Sequence, residues 1–255
     1  MDDPLTSFRL DGRVAVVTGA SSGLGERFVR VLAAAGATVL AAARRLDRLV
    51  ALADEVEGVV PVECDVSDDA ACRSLVEIAQ TQTGRVDVLV NNAGISDGPV
   101  NAELEDPALF RQVVEVNLNA AFVLSSLCAP AMLEAGRGSI VNISSIHGLV
   151  ASSPNRQAGY VASKFGLVGL TQELACQWAD QGVRVNAIAP GYFASELSSP
   201  MLDDESGRRW VVRNTPMRRP GEPHELDGVL LFLASDASTY VTGQTIAADG
   251  GWTAR

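Results

Sequence analysis

Seven short apolar runs alternate with longer amphipathic stretches along this chain, and that alternation constrains the fold more than any other feature of the sequence. The runs are RVAVVTG (13–19), ATVLAAA (37–43), VVPVE (59–63), VDVLVNN (86–92), SIVNIS (139–144), VRVNAIAP (183–190) and QTIAAD (244–249). Most are continuously apolar rather than alternating. A strand covered by helices on both faces has no polar side to present, so the pattern predicts parallel strands. Helical spacing is expected over 24–35, 46–56, about 68–82, 107–135, 158–180 and 223–234. In the second of these, Leu46, Leu49, Val50, Ala53 and Val56 share a face. Strand and helix in strict succession imply right-handed crossovers and a doubly wound parallel α/β sheet with helices on both faces. No repeat, low-complexity tract or linker divides the 255 residues. One domain, 1–255, is therefore expected. The segment 191–222 shows no clear period, and a loop of that length in a compact domain is expected to act as a lid over a binding site.

Composition narrows the partners. Asp and Glu outnumber Lys and Arg, 31 to 20, for a formal charge of −11. A nucleic-acid partner calls for a basic stripe, so none is expected. No uninterrupted apolar run reaches the roughly 18 residues of a membrane span, and the acidic start MDDPLTSFRL does not read as a signal peptide. Cys64, Cys72, Cys128 and Cys176 are scattered, without a C-x-x-C pair or a histidine cluster. No metal is expected, and reduced, mostly buried thiols in a cytoplasmic protein are the natural reading.

The first run leads into VVTGASSGLGERF, which places Gly19, Gly23 and Gly25 at a strand-to-helix turn. Glycines there let the backbone turn tightly and approach a pyrophosphate seated on the positive end of the next helix. Further along, Tyr160 and Lys164 in AGYVASKFG stand four apart, on one face of a helix. A phenol beside an ammonium suits proton transfer to or from a bound oxygen. A cation about 4 Å away favours the phenolate by roughly 4 kcal/mol at an effective dielectric of ~20, or up to ~3 pKa units below the ordinary value near 10. Lys164 is thus expected to draw Tyr160 towards neutrality.

T-G-x-x-x-G-x-G, then NNAG at 91–94, Y-x-x-x-K at 160–164 and PG at 190–191 resemble the short-chain dehydrogenase/reductase family over nearly the whole chain. The resemblance implies a seven-stranded parallel Rossmann sheet, a nicotinamide cofactor and a homotetramer, with helices 107–135 and 158–180 in the interfaces. It implies that Gly19, Ser21, Ser22, Gly23, Leu24 and Gly25 hold the cofactor phosphates. Asp65 and Val66 would meet the adenine, although Asp65 also suits an ordinary cap for the following helix. Asn91, Ala93 and Gly94 would line the adenine ribose. Pro190, Gly191 and Ser195 would sit under the nicotinamide, Ser195 standing where the family often has threonine. Tyr160 would be the acid/base, Lys164 would also hold the nicotinamide ribose, Ser145 would bind the substrate oxygen and Asn117 would hold a proton-relay water. Ser144 and Asn119 are the nearby competitors for the last two roles. The stretch between Ser145 and Tyr160 is slightly longer than is usual for the family. His147 within it reads as a pocket-lining or plain loop residue.

In relatives that prefer NAD an acid ends the second strand and binds the ribose 2′-hydroxyl. Here Ala43 stands there, followed by Arg44. A small residue and a guanidinium leave room for a 2′-phosphate and supply donors to it, so NADP(H) is favoured over NAD(H). Arg44 and Arg45 opening a solvated helix is the alternative. The lid holds Glu196, Asp203, Asp204, Glu205 and Glu222 against Arg208, Arg209, Arg213, Arg218 and Arg219, which leaves no net field. PGYFASELSSP, Trp210 and NTPMRRPGEPHEL resemble the gluconate 5-dehydrogenase branch, with 3-oxoacyl-carrier-protein reductases as the other near relatives. A secondary alcohol/ketone oxidoreductase acting on a sugar acid or keto-acid is expected. A 3-oxoacyl thioester reductase and a non-catalytic dinucleotide sensor are the alternatives.

Overall fold

The computed structural model describes residues 3–254; Met1, Asp2 and Arg255, the ends of the expected domain, lie outside them. Seven strands form: β1 (Val14–Thr18), β2 (Thr38–Ala43), β3 (Val59–Glu63), β4 (Val88–Asn91), β5 (Gly138–Ile143), β6 (Val183–Pro190) and β7 (Thr245–Ala248). They make one sheet in the order β3-β2-β1-β4-β5-β6-β7. Every pairing is parallel, as the continuous apolar runs require. The strand order reverses between β1 and β4, which opens a crevice at the carboxyl ends of the strands.

The helices are α1 (Gly23–Ala34), α2 (Leu46–Glu55), α3 (Asp69–Thr83), α4 (Pro107–Val114), α5 (Ala120–Glu134), α6 (Ala158–Trp178), α7 (Ser199–Leu202), α8 (Glu205–Asn214) and α9 (Asp227–Ala234). Side chains alternate across each strand, so the sheet feeds two cores. Ala15 and Val17 pack with Phe28 and Leu32 of α1, Leu49 of α2 and Leu230 of α9. Val14 and Val16 pack with Leu75 of α3, Leu124 and Met132 of α5 and Leu174 of α6.

Two departures from the sequence pattern bear on the site. The expected helix 107–135 is continuous but contains a π-helical turn, Glu115–Asn119, between α4 and α5. The whole run Pro107–Glu134 is long and apolar enough to cross a bilayer, yet 44% of its most apolar window is buried against the rest of the protein. The segment 191–222 is not aperiodic loop, for it carries α7 and α8. Its two ends meet where Gly221 N–H donates to the Tyr192 carbonyl at 2.8 Å. A side chain at Gly221 would strike the Phe193 ring, 2.4 Å from the position of its Cβ. The excursion is therefore pinned at its base.

Candidate active site

The carboxyl end of β1 leads into the glycine turn. Gly19 and Gly23 have φ of +64° and +57°, a region costly for any other residue. A Cβ at Gly25 would lie 2.2 Å from the Gly19 carbonyl oxygen. The turn is thus a backbone cradle that side chains would fill. Ser22 occupies the N-cap of α1 but its hydroxyl makes no capping bond, so the first-turn amides of the helix lie open at its positive end. Ser21 is buried, and Leu24 packs on the core from beside the turn. These features fit a dinucleotide pyrophosphate.

The neighbouring strand ends complete the crevice. Asn92, which sequence reasoning passed over, donates to the Thr18 carbonyl at 2.8 Å, tying the end of β4 to the cradle. Asn91 points the other way and donates to Asn142 Oδ1 at 2.9 Å, so it braces β4 against β5. Its own Oδ1 is buried without a partner. Val66, Ala93, Asn91 and Asn117 line one small cavity. Asp65 accepts from Ser67 N–H and Oγ–H at 3.0 and 2.7 Å, which holds its carboxyl below the usual range. The cap of α3 is Asp68 instead. Pro190 pairs with Ala248 at the end of β6, and Gly191 lies so close to Asp249 that a Cβ would come within 2.8 Å of its Cα. Ser195 Oγ is 3.0 Å from Ser198 Oγ, and a Cβ on Gly23 would sit 3.3 Å from Ser195 Cβ. The segment 191–222 thus rests directly on the glycine cradle.

Beyond β5, the two serines diverge. Ser144 donates to the Lys164 carbonyl at 3.1 Å, turning into the α6 backbone. Ser145 Oγ accepts from His147 N–H at 3.1 Å and is near enough to the Tyr160 phenol to hold its pKa down. The asparagine pair diverges too. Asn119 is spent on Glu115 at the surface, whereas Asn117 is 2% exposed. Asn117 accepts from Ile95 N–H at 2.8 Å and donates to Ile95 O and Ser163 Oγ at 2.9 and 3.0 Å. The π-turn adds one residue and rotates Asn117 inward, a device common at functional sites. A Cβ on Gly94 would lie 3.3 Å from Asn117 Oδ1 and 3.6 Å from Lys164 Nζ, so these three converge. Asp97, also unforeseen, accepts from the Gly159 and Tyr160 N–H groups at 2.8 and 3.3 Å and fixes the first turn of α6. No local pattern links residues so distant in sequence.

The electrostatics correct one expectation. Lys164 Nζ lies 5.6 Å from the Tyr160 ring centroid and donates to the Ile143 carbonyl at 2.8 Å. Burial pulls its ammonium from 10.5 down to about 8. Tyr160 is pushed up, chiefly by burial, with Asp97 adding to the rise and the Ser145 hydrogen bond opposing it. Burial is therefore the dominant influence on the phenol.

A second correction concerns the arginines. Arg44 is exposed, and its charge is felt at Asp65. Arg45 is the one that folds onto the cradle, with Nε 3.0 Å from Ser21 Oγ and Nη2 2.8 Å from Ser22 Oγ. Strand-end residues alternate in direction, so adjacent arginines diverge.

Beyond Tyr160, aromatic rings gather around Tyr192. Tyr192 meets Trp210 of α8 and Trp252 at centroid distances of 6.0 and 5.1 Å. His147 is buried, with its ring edge-on to those of Tyr160 and Tyr192 at 6.5 and 6.2 Å. Asn155 Nδ2 donates to Tyr192 Oη at 3.2 Å, and Tyr192 Oη lies 3.4 Å from His147 Nε2. Burial lowers the His147 pKa, so this chain of polar groups is uncharged.

A parallel sheet with a glycine cradle at its switch point and a Ser–Tyr–Lys–Asn cluster at neighbouring strand ends defines a dinucleotide-dependent oxidoreductase. Residues 19–253 match the family model described as enoyl-(acyl carrier protein) reductase. The galactitol 2-dehydrogenase (L-tagatose-forming) of Cereibacter sphaeroides is 41% identical, covering 98% of this chain and 99% of that protein. A 3-oxoacyl-[acyl-carrier-protein] reductase of Thermotoga maritima is 38% identical over 95% of this chain and 98% of its own. The crystal structure of a gluconate 5-dehydrogenase from Burkholderia cenocepacia in complex with NADP and tartrate superposes with a TM-score of 0.94. It is 35% identical, with 99% of this chain and 100% of that chain covered. The chain belongs to the short-chain dehydrogenase/reductase family and is an oxidoreductase.

Proposed function

We propose that this enzyme interconverts a secondary alcohol and a ketone on a hydroxyl-rich sugar derivative, best a sugar acid or its keto form, with NADP(H) favoured over NAD(H). The observation that carries the reaction is the convergence of Ser145, Tyr160, Lys164 and Asn117 at the end of β5. Nicotinamide, when bound, supplies the hydride acceptor or donor. Tyr160 takes or gives the proton at the substrate oxygen, which Ser145 fixes by hydrogen bonding. Lys164, buried near its titration point, holds a positive charge close to that phenol and offers donors to the nicotinamide ribose. Asn117 holds a relay water next to Lys164. Asn92 and Asp97 keep the cradle and the first turn of α6 in register with these groups.

Two features support the substrate class. The uncharged chain Asn155–Tyr192–His147 matches substrate hydroxyls, which both donate and accept. Relatives are named for galactitol and gluconate oxidation. Among the lid arginines, Arg209 and Arg219 pair with Glu205 and Glu225, and Arg218 donates to the Arg213 carbonyl. A 3-oxoacyl thioester is the second reading, resting on the relative named for that reduction. The segment 191–222 serves as the substrate lid. Phe122 of α5 and Phe165 of α6 are 50% and 44% exposed, which supports a homotetramer packed through those helices. Buried thiols at Cys64, Cys72 and Cys128 accord with a cytoplasmic setting.

The test is turnover of polyols, sugar acids, simple cyclic ketones and 3-oxoacyl thioesters, followed by nicotinamide absorbance with each cofactor. A Tyr160→Phe variant serves as the control. Removing an acid/base group should cost about 10²–10⁴ in turnover while cofactor affinity stays. Turnover of the variant within about tenfold of the native enzyme would exclude Tyr160 from that role.

A further inference from the structure

One ion cluster joins three parts of the chain that the reaction chemistry does not use. Glu196, the residue after Ser195 in the lid, reaches the glycine turn and the start of α2 together. Its carboxylate accepts from Ser22 Oγ at 2.9 Å, from Arg45 Nη2 at 3.0 Å and Nη1 at 3.3 Å, and from Arg48 Nη1 at 2.6 Å. Arg45 in turn lies along the turn through Ser21 and Ser22. Ser22 stands at the cap of α1, yet its hydroxyl leaves the helix uncapped and serves the carboxylate instead. The Arg45, Arg48 and Ser22 donors hold the Glu196 carboxyl down at about 2. Four donor groups from two elements thus form a cradle for an anion, and the chain fills it with an anion of its own.

We infer that Glu196 is the resident counter-anion of this cradle and sets cofactor selectivity by competing with a 2′-phosphate for Arg45, Arg48 and Ser22. The inference rests on the proposed use of NADP(H). A phosphate monoester carries more charge and one more acceptor oxygen than a carboxylate, so it displaces Glu196 where a ribose hydroxyl does not. Glu196 thereby subtracts from the affinity for the phosphorylated cofactor and leaves the other cofactor untouched. Because Ser195 packs against Gly23, the exchange also loosens the root of the lid. Glu196 is 54% exposed, and Arg45 and Arg48 are 41% and 48% exposed, so the competition is one of modest, salt-screened ion pairs.

The experiment titrates 2′,5′-ADP and 5′-ADP, neither of which can react, into the native protein, E196Q and R45A by calorimetry. Losing two exposed ion pairs should tighten 2′,5′-ADP on E196Q by about three- to thirtyfold and move 5′-ADP by less than about twofold. R45A should erase the preference for 2′,5′-ADP. Amide hydrogen exchange at 195–198 in the free protein should quicken in E196Q. If the native protein prefers 2′,5′-ADP, R45A loses that preference and E196Q changes nothing, the competition is refuted while the NADP(H) reading stands. If the native protein binds both nucleotides equally, the cofactor reading falls and the inference with it. Weaker 5′-ADP binding by E196Q would make Glu196 a ribose-hydroxyl acceptor and overturn the proposal.

Discussion

Lys164→Met should flatten the alkaline stability profile of the protein. The Lys164 ammonium is 4% exposed and its pKa falls from 10.5 to about 8 on folding. That difference, at about 1.4 kcal/mol per unit, corresponds to roughly 3.5 kcal/mol. The folded pKa is the lower one. Between about pH 8 and 10.5 the unfolded chain therefore keeps a proton that the folded chain has lost, and stability rises with pH across that window. Below about pH 8 both states are protonated and the full penalty of the buried charge applies. Methionine removes the charge at every pH. It also leaves the Ile143 carbonyl without the donor it has at 2.8 Å, at a cost of about 1–3 kcal/mol that does not depend on pH. At neutral pH these two effects oppose each other, so a single measurement there does not separate them. The difference between variant and native protein carries the information, because every other titration is common to both. Urea unfolding at one protein concentration, from about pH 7 to pH 10.5, should show the variant's advantage falling by about 3 kcal/mol as pH rises. A difference constant within about 0.5 kcal/mol would refute the argument, since Lys164 would then carry no desolvation penalty.

Three further outcomes follow from the site. Gly25→Ala, whose methyl would lie 2.2 Å from the Gly19 carbonyl, should raise the calorimetric Kd for either cofactor at least about tenfold with far-UV circular dichroism retained. Unchanged affinity would mean the turn does not touch the phosphates. Ser145→Ala should cut kcat by about 10² or more, whereas Ser144→Ala, which loses only its bond to the Lys164 carbonyl, should cost about 1 kcal/mol of stability and little rate. Equal kinetic losses would show that the two hydroxyls are not divided in this way. Phe122→Lys combined with Phe165→Glu should reduce the mass measured by light scattering while the subunit stays folded. An unchanged mass would place the interface elsewhere.

The strands were legible because a parallel strand buried on both faces needs an unbroken apolar run, and each expected run matches its observed strand to within two residues at either end. The glycine turn and the Tyr160–Lys164 pair were legible because both depend on short, fixed spacings. The lid helices were not. α8, ESGRRWVVRN, is charged along most of its length and buries Val211 alone, so no apolar stripe announces it. The π-turn was hidden as well, because one inserted residue barely disturbs a 3.6-residue period, although it decides that Asn117 faces inward and Asn119 outward.

By itself the sequence determined the order of the elements, the cofactor turn and the kinds of side chain available for proton transfer. All of these are written in contacts between near neighbours. Tertiary structure decided where each member of these near-neighbour pairs points: Ser144 into the α6 backbone, Asn117 inward and Asn119 outward, and Arg45 rather than Arg44 onto the cradle. It also brought Asp97 to the first turn of α6 and Glu196 to Arg45 and Arg48. Neighbouring residues differ in direction by half a strand repeat or 100° of helix, and only packing against distant elements selects between them. A local period carries the spacing of side chains but not what stands opposite, so charges far apart in the chain find each other only once the sheet has set their positions.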